Sequence, residues 1–228
     1  MYGYIAITVF AGFLIALSRP GLLKNEMWRA TTTPLASIIG SGFLVSVPIL
    51  RNVVGSWAII AMTVLLVIAY LVGGAIRENI AVGSVGLLRG FHAVEGLEIY
   101  AVSVKLAVIG GLLATLLIFD VAGLLGWVPA FGGDLIQVDA HFAFTDLPVI
   151  LGLLIIVQGF ETSRFLGNSY SRELRIRTMK LSQAIAAFIY ILFFALVLPI
   201  MGAGSDSTDV AAVTDMMKPV ALILPFFV

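Results

Sequence analysis

No cysteine occurs in these 228 residues. That excludes a disulfide scaffold, a thiol nucleophile and a Cys-ligated metal, and leaves the compartment open. Histidine is nearly as scarce, with only His92 and His141 present. Charge is thin as well: 11% of residues are Asp, Glu, Lys or Arg, and the two signs cancel. The patterns H-E-x-x-H and G-x-S-x-G are missing, as is a phosphate-cradling glycine loop, so no enzyme is expected. What fills the chain instead is apolar: 61% of it is hydrophobic, and the mean hydropathy is +1.11. Soluble domains lie far from such values, and the composition reads as an integral membrane protein.

The apolar residues form continuous runs at 2–18, 34–50, 56–76, 99–119, 147–166 and 181–201, with a further run starting at 219. A helix needs roughly 20 residues to cross a hydrocarbon core, whereas barrel strands alternate and are about 10 residues long. The expected class is therefore all-α, with about six spans and the start of a seventh. The first run lacks a positive flank before it and a small-x-small cleavage site after it, so it reads as a retained helix rather than a signal peptide.

Positive charge assigns the sides. Arg19, Lys24, Arg29, Arg77, Arg89, Arg164, Arg172, Arg175, Arg177 and Lys180 fall in alternate connecting segments, against Arg51 and Lys218 in the others. Those others also hold Asp120, Asp134, Asp139, Asp146, Asp206, Asp209 and Asp215. By the positive-inside rule the N-terminus is outside, and the expected location is a plasma (inner) membrane, crossed several times. Trp28, Trp57 and Trp127 fall near span boundaries, where an amphipathic ring sits well. The basic segment 167–180 reads as an anchor beside anionic headgroups. His92 and His141 fall on opposite sides and cannot share a metal, so no metal site is expected.

Two spans are interrupted. Ile39, Gly40, Ser41 and Gly42 break the run 34–50, and Gln158, Gly159, Phe160 and Glu161 break the run 147–166. Small residues at the first site are explained by close helix packing alone. They also lower helix propensity between Pro34 and Pro48, and an unwound turn would present backbone N–H and C=O groups near the bilayer midplane. Glu161 within a span costs about 2.5–3.5 kcal/mol on insertion scales, which marks it as a functional candidate. The competing reading ends the span there and pairs Glu161 with Arg164. Lys105 lies inside the run 99–119; its stem can snorkel to the boundary, or its amine can cycle a proton if buried.

These residues resemble the amino acid–polyamine–organocation (APC) transporter superfamily, which has the inverted-repeat fold of the bacterial leucine transporter. Residues 37–48 (SIIGSGFLVSVP) are similar to its first core helix, whose Gly-Ser-Gly turn binds the backbone-like end of the substrate. Residues 158–164 (QGFETSR) resemble the sixth core helix, and residues 90–106 (GFHAVEGLEIYAVSVKL) resemble the approach to the fifth. In proton-coupled permeases a lysine at the position of Lys105 stands where sodium-coupled relatives bind an ion.

The resemblance implies a single transmembrane domain, with an extra helix and loop at 1–33 and partial repeats at 34–119 and 147–228. Core helices three and four are missing from the pattern, with the join expected in 79–88, and the chain ends as the eighth begins. It further implies a secondary transporter of an amino-acid-like solute. The substrate would sit between residues 39–42 and 158–161, Phe160 would act as an apolar gate, and Lys105 would couple a proton. Beyond a coupling ion no cofactor is implied, and beyond solute and bilayer no partner and no nucleic acid. The leading helix is more like that of sodium:solute symporters, which keeps sodium coupling open. An incomplete membrane protein with no transport of its own is the other alternative.

Overall fold

The computed structural model describes residues 2–40, 42–82, 92–125 and 143–199, and the regular structure among them is entirely helical. In chain order the α-helices are α1 (Tyr2–Leu17), α2 (Pro20–Leu23), α3 (Glu26–Ile38), α4 (Gly42–Val54), α5 (Ala58–Val82), α6 (His92–Leu124), α7 (Leu147–Gly152) and α8 (Arg172–Val197). Short 3-10 turns occupy Gly55–Trp57, Phe144–Asp146 and Leu153–Ile155, and a longer one runs over Phe160–Asn168. Among the described residues, four stretches are long and apolar enough to cross a membrane: Gly42–Val82, Ile99–Leu124, Phe144–Gly167 and Arg172–Val197, with Ile7–Leu17 shorter.

Several boundaries differ from the hydropathy reading, each for a local reason. The first interrupted span begins at Glu26 rather than 34, because Asn25 caps it by accepting a 3.1 Å hydrogen bond from the Trp28 N–H. Hydropathy misses this half because it holds threonines. Thr31 and Thr32 donate back to the Met27 and Arg29 carbonyls, at 2.6 and 2.7 Å, so their hydroxyls need no other partner. Helix α5 continues to Val82 and α6 to Leu124, so Arg77 and Asp120, expected in connecting segments, lie within helices and are buried. The basic segment is likewise helical from Arg172, with Ser171 capping α8 through the Leu174 N–H at 3.3 Å. Of the remaining expectations, Arg89, Trp127, His141, most of the 79–88 join and the run from 219 fall outside the described residues.

The core sits where α3, α4, α5, α6 and α8 converge, and it includes Leu35, Ile38, Phe43, Val47, Met62, Tyr190 and Phe193. Helix α1 lies along α6. The outward face of α5 carries Ile60, Val67 and Leu71, all more than half exposed, as befits a surface solvated by lipid tails. Three buried hydroxyls deeper in the bundle are satisfied within their own helices: Ser103 on the Ile99 carbonyl, Thr115 on Gly111 and Ser182 on Met179.

Arginine appears inside this core. Arg77 donates to Gln183 Oε1 at 2.6 Å and to the Tyr70 carbonyl at 3.0 Å, and its guanidinium stacks 4.4 Å from the Tyr70 ring centroid. Gln183 in turn donates to the Ala69 carbonyl at 3.1 Å, so α5 and α8 are tied by a shared polar network. Arg175, 2% exposed, donates to the Arg164 carbonyl at 3.1 Å and ties α8 to the preceding 3-10 segment.

Candidate functional site

Both interruptions are real discontinuities. Helix α3 stops at Ile38 and α4 starts at Gly42; Ile39 between them has φ −91° and ψ 77°, outside the helical region. The second span runs through α7 and the turn Leu153–Ile155, stops, and resumes as a 3-10 segment at Phe160. Gly159 makes that stop with φ +122°, a conformation that a side chain resists.

The two discontinuities lie against each other. A Cβ placed on Gly159 would fall 2.5 Å from the Ser37 carbonyl carbon and 2.6 Å from the Ile38 nitrogen, so the second break rests on the backbone of the last turn of α3. Across the same contact, a Cβ on Gly42 would fall 2.9 Å from two carbons of Ile156. Glycine at 159 is therefore required twice over, by its backbone angle and by its neighbour.

Breaking a helix strands backbone groups, and inside a membrane each needs a partner. At the end of α3, Leu35 O accepts from Ile39 N at 3.1 Å, as in a continuing helix. Lys105, reaching across from α6, donates its ammonium to Ala36 O at 3.2 Å and Ile39 O at 3.0 Å. Tyr190 of α8 lies with its hydroxyl 3.2 Å from Ile38 O. A cation at the carboxyl end of a half-helix also meets the negative end of its dipole.

The second break is closed from its own chain. Glu161 Oε2 accepts from the Gly159 N–H at 2.8 Å, while Thr162 donates its hydroxyl to Gly159 O at 2.8 Å. Of the two readings of Glu161, the capping of the break is the one this geometry displays, and Arg164 is not its partner.

The residues singled out from the sequence thus gather at one place, with differing exposure. Ile39, Gly159 and Phe160 are buried; Gly42 and Glu161 are half-buried; Gly40, Gln158 and Lys105 are exposed. Ser41 lies outside the described residues. Gly40 has nothing within 4 Å of a would-be Cβ, so space is open beside it. Lys105 does not snorkel along its own helix; it bridges to another.

Sequence reasoning missed Tyr190. Its hydroxyl is also 3.2 Å from Ile156 O, and its ring packs edge-on to Phe43 at 5.0 Å between centroids. Phe43 in turn stacks on Phe193 at 4.3 Å. The available signal was a phenol in the middle of an otherwise apolar run, where a buried O–H must find an acceptor.

Comparison with known proteins bears on this arrangement. A family model described as an APC superfamily transporter matches residues 20–84 and 80–228. The two matched segments meet at 80–84, inside the expected join. A protein of Aquifex aeolicus, described only as uncharacterized, is 32% identical over 264 aligned positions, covering 85% of this chain and 63% of the relative. That alignment is longer than the whole chain, so the relative carries a stretch without a counterpart here. The chain spans less than two thirds of that relative's length. No solved structure matches.

Proposed function

The chain belongs to the APC superfamily of transporters, and from that premise we propose that it serves secondary transport of a small zwitterionic solute, such as an amino acid, coupled to protons. The observation that carries the reading is the packing of one broken helix on the other, Gly159 against Ser37 and Ile38. Paired discontinuous helices are how transporters of this type offer backbone groups to a solute near the midplane.

In this proposal the solute lies beside Gly40, Ser41 and Gly42. Its carboxylate is drawn to the N–H groups opening α4, and its amine to carbonyls at the end of α3 and at the second break. Phe160 closes the apolar side, and Glu161 holds the second break open as a cap. Lys105 supplies the coupling group. Protonated, it bonds Ala36 O and Ile39 O; deprotonated, it keeps two hydrogens but loses the charge that favours the end of α3. Loss of the proton therefore loosens the break, and this links proton release to a change in the site. We further propose that the chain retains two partial inverted repeats, 34–119 and 147–228, lacking the third and fourth core helices at the join. In keeping with the charge pattern, its N-terminus would lie outside an inner membrane.

Uptake into proteoliposomes tests this. A mixture of labelled amino acids should accumulate under an inward proton gradient and not under a sodium gradient of equal size. Lys105→Ala should abolish the pH dependence. Uptake that keeps its pH profile in that variant overturns the coupling role; sodium-driven uptake transfers the coupling to sodium. An absence of both binding and uptake in correctly folded protein overturns the transport reading.

A further inference from the structure

The Tyr190 hydroxyl has one proton and two carbonyls to give it to. Ile38 O belongs to the first broken helix and Ile156 O to the second, each 3.2 Å away. Both carbonyls lie at the ends of helical stretches that the breaks cut short: α3 ends at Ile38, and the turn before the second break ends at Ile155. Neither carbonyl can be left dry inside a membrane without cost. The phenol is completely buried, and its ring is held by Phe43, the second residue of α4. A third helix thus places a single donor at the seam between two half-sites.

We infer that Tyr190 is a positioning residue that latches the two broken helices together, and that solute access requires this latch to open. The inference rests on the transport reading for its purpose, but the latch itself is a property of the resting chain. With one proton shared between two acceptors, the hydroxyl serves both carbonyls while the breaks are in contact. If the second span moves away from α3, the hydroxyl keeps one carbonyl and releases the other. The released carbonyl is then free to take a new donor, and an ammonium group of an entering solute has that chemistry. Tyr190 thereby makes closure of the empty site and binding of an amine compete for one backbone oxygen.

Hydrogen–deuterium exchange on nanodisc-held protein reads this directly. Tyr190→Phe keeps the ring on Phe43 and removes only the hydroxyl. It should raise exchange about five- to tenfold at amides around Ile39–Gly42 and Val157–Glu161 together, the range expected for losing one such bond, and leave the paired helices α1 and α6 unchanged. Phe43→Leu removes the ring contact and leaves the hydroxyl; it should not raise the two breaks in concert. A second measure uses the absence of cysteine. Val157→Cys places a lone thiol, at a position 2% exposed, beside the Ile156 carbonyl. Adding Tyr190→Phe should speed its modification by the same factor. Unchanged exchange, a rise spread along all of α8, or equal effects of Tyr190→Phe and Phe43→Leu each overturn the latch. Failure of uptake in the parent protein would overturn the transport reading alone, since neither readout needs a solute.

Discussion

Gly159→Ala should be among the most damaging single-methyl changes in this chain, and the structure allows its size to be worked out. The φ of +122° is the first cost: an alanine held in a sparsely allowed region loses about 1–3 kcal/mol. The second is collision, because the new methyl would sit 2.5 Å from Ser37 C, 2.6 Å from Ile38 N and 2.7 Å from Ser37 Cβ. Two of these are backbone atoms that cannot rotate aside, so the chain must shift, and overpacking of this kind costs about 1–3 kcal/mol more. The sum is about 2–6 kcal/mol, against which Gly40→Ala is the natural control. Gly40 has nothing within 4 Å of its Cβ position and no positive φ, so the same methyl should change stability by less than about 0.5 kcal/mol. Thermal unfolding of the two variants in the same detergent or nanodisc separates them. At roughly 2–4 °C per kcal/mol for a chain of this size, Gly159→Ala should lose several degrees or more and Gly40→Ala about one or two. Equal midpoints for the two would refute the claim that the second break rests on the first.

Two further outcomes follow from hydrogen bonds at named atoms. Glu161→Gln keeps an oxygen that can accept from the Gly159 N–H and should stay near the parent midpoint, whereas Glu161→Ala orphans that donor and should cost about 1–2 kcal/mol in the same unfolding assay. If both variants behave alike, the carboxylate is not acting as a cap. Gln183→Leu removes the acceptor of Arg77 while filling the volume, leaving a buried guanidinium one bond short, and should cost about 1.5–3 kcal/mol. A double-mutant cycle with Arg77→Met should recover much of that loss, because the unpaired donor disappears with its charge.

The interruptions themselves were legible because glycine, serine and a carboxylate stand out within apolar runs, and lipid tolerates them only under cover. Lys105 was legible for the same reason. What a linear reading cannot supply is which groups meet. Lys105 reaches carbonyls on α3, far away in sequence, and nothing in its spacing within α6 announces that. Tyr190 was invisible for the opposite reason: an aromatic among Phe and Ile looks like ordinary core, and its polarity matters only once two orphan carbonyls are beside it. Hydropathy also misplaced the start of α3, where threonines hide their hydroxyls on their own helix, and it did not signal that the second span resumes as a 3-10 segment. Arg77 and Arg175 read from the sequence as cations flanking apolar runs, yet both lie within helices and turn inward.

That inward turn gives each of these arginines two occupations at different moments. While the chain is being threaded, a guanidinium beside an apolar run is read as a charge, and it resists translocation whatever it will later touch. Once the bundle has closed, the same group is out of reach of headgroups: Arg77 is spent on Gln183 and Tyr70, and Arg175 on the Arg164 carbonyl. The finished protein therefore meets its lipid with fewer cations than the insertion machinery encountered. Substitution by glutamine would keep donors for the fold while removing one charge from the insertion pattern, so charge and packing can be altered separately at one codon.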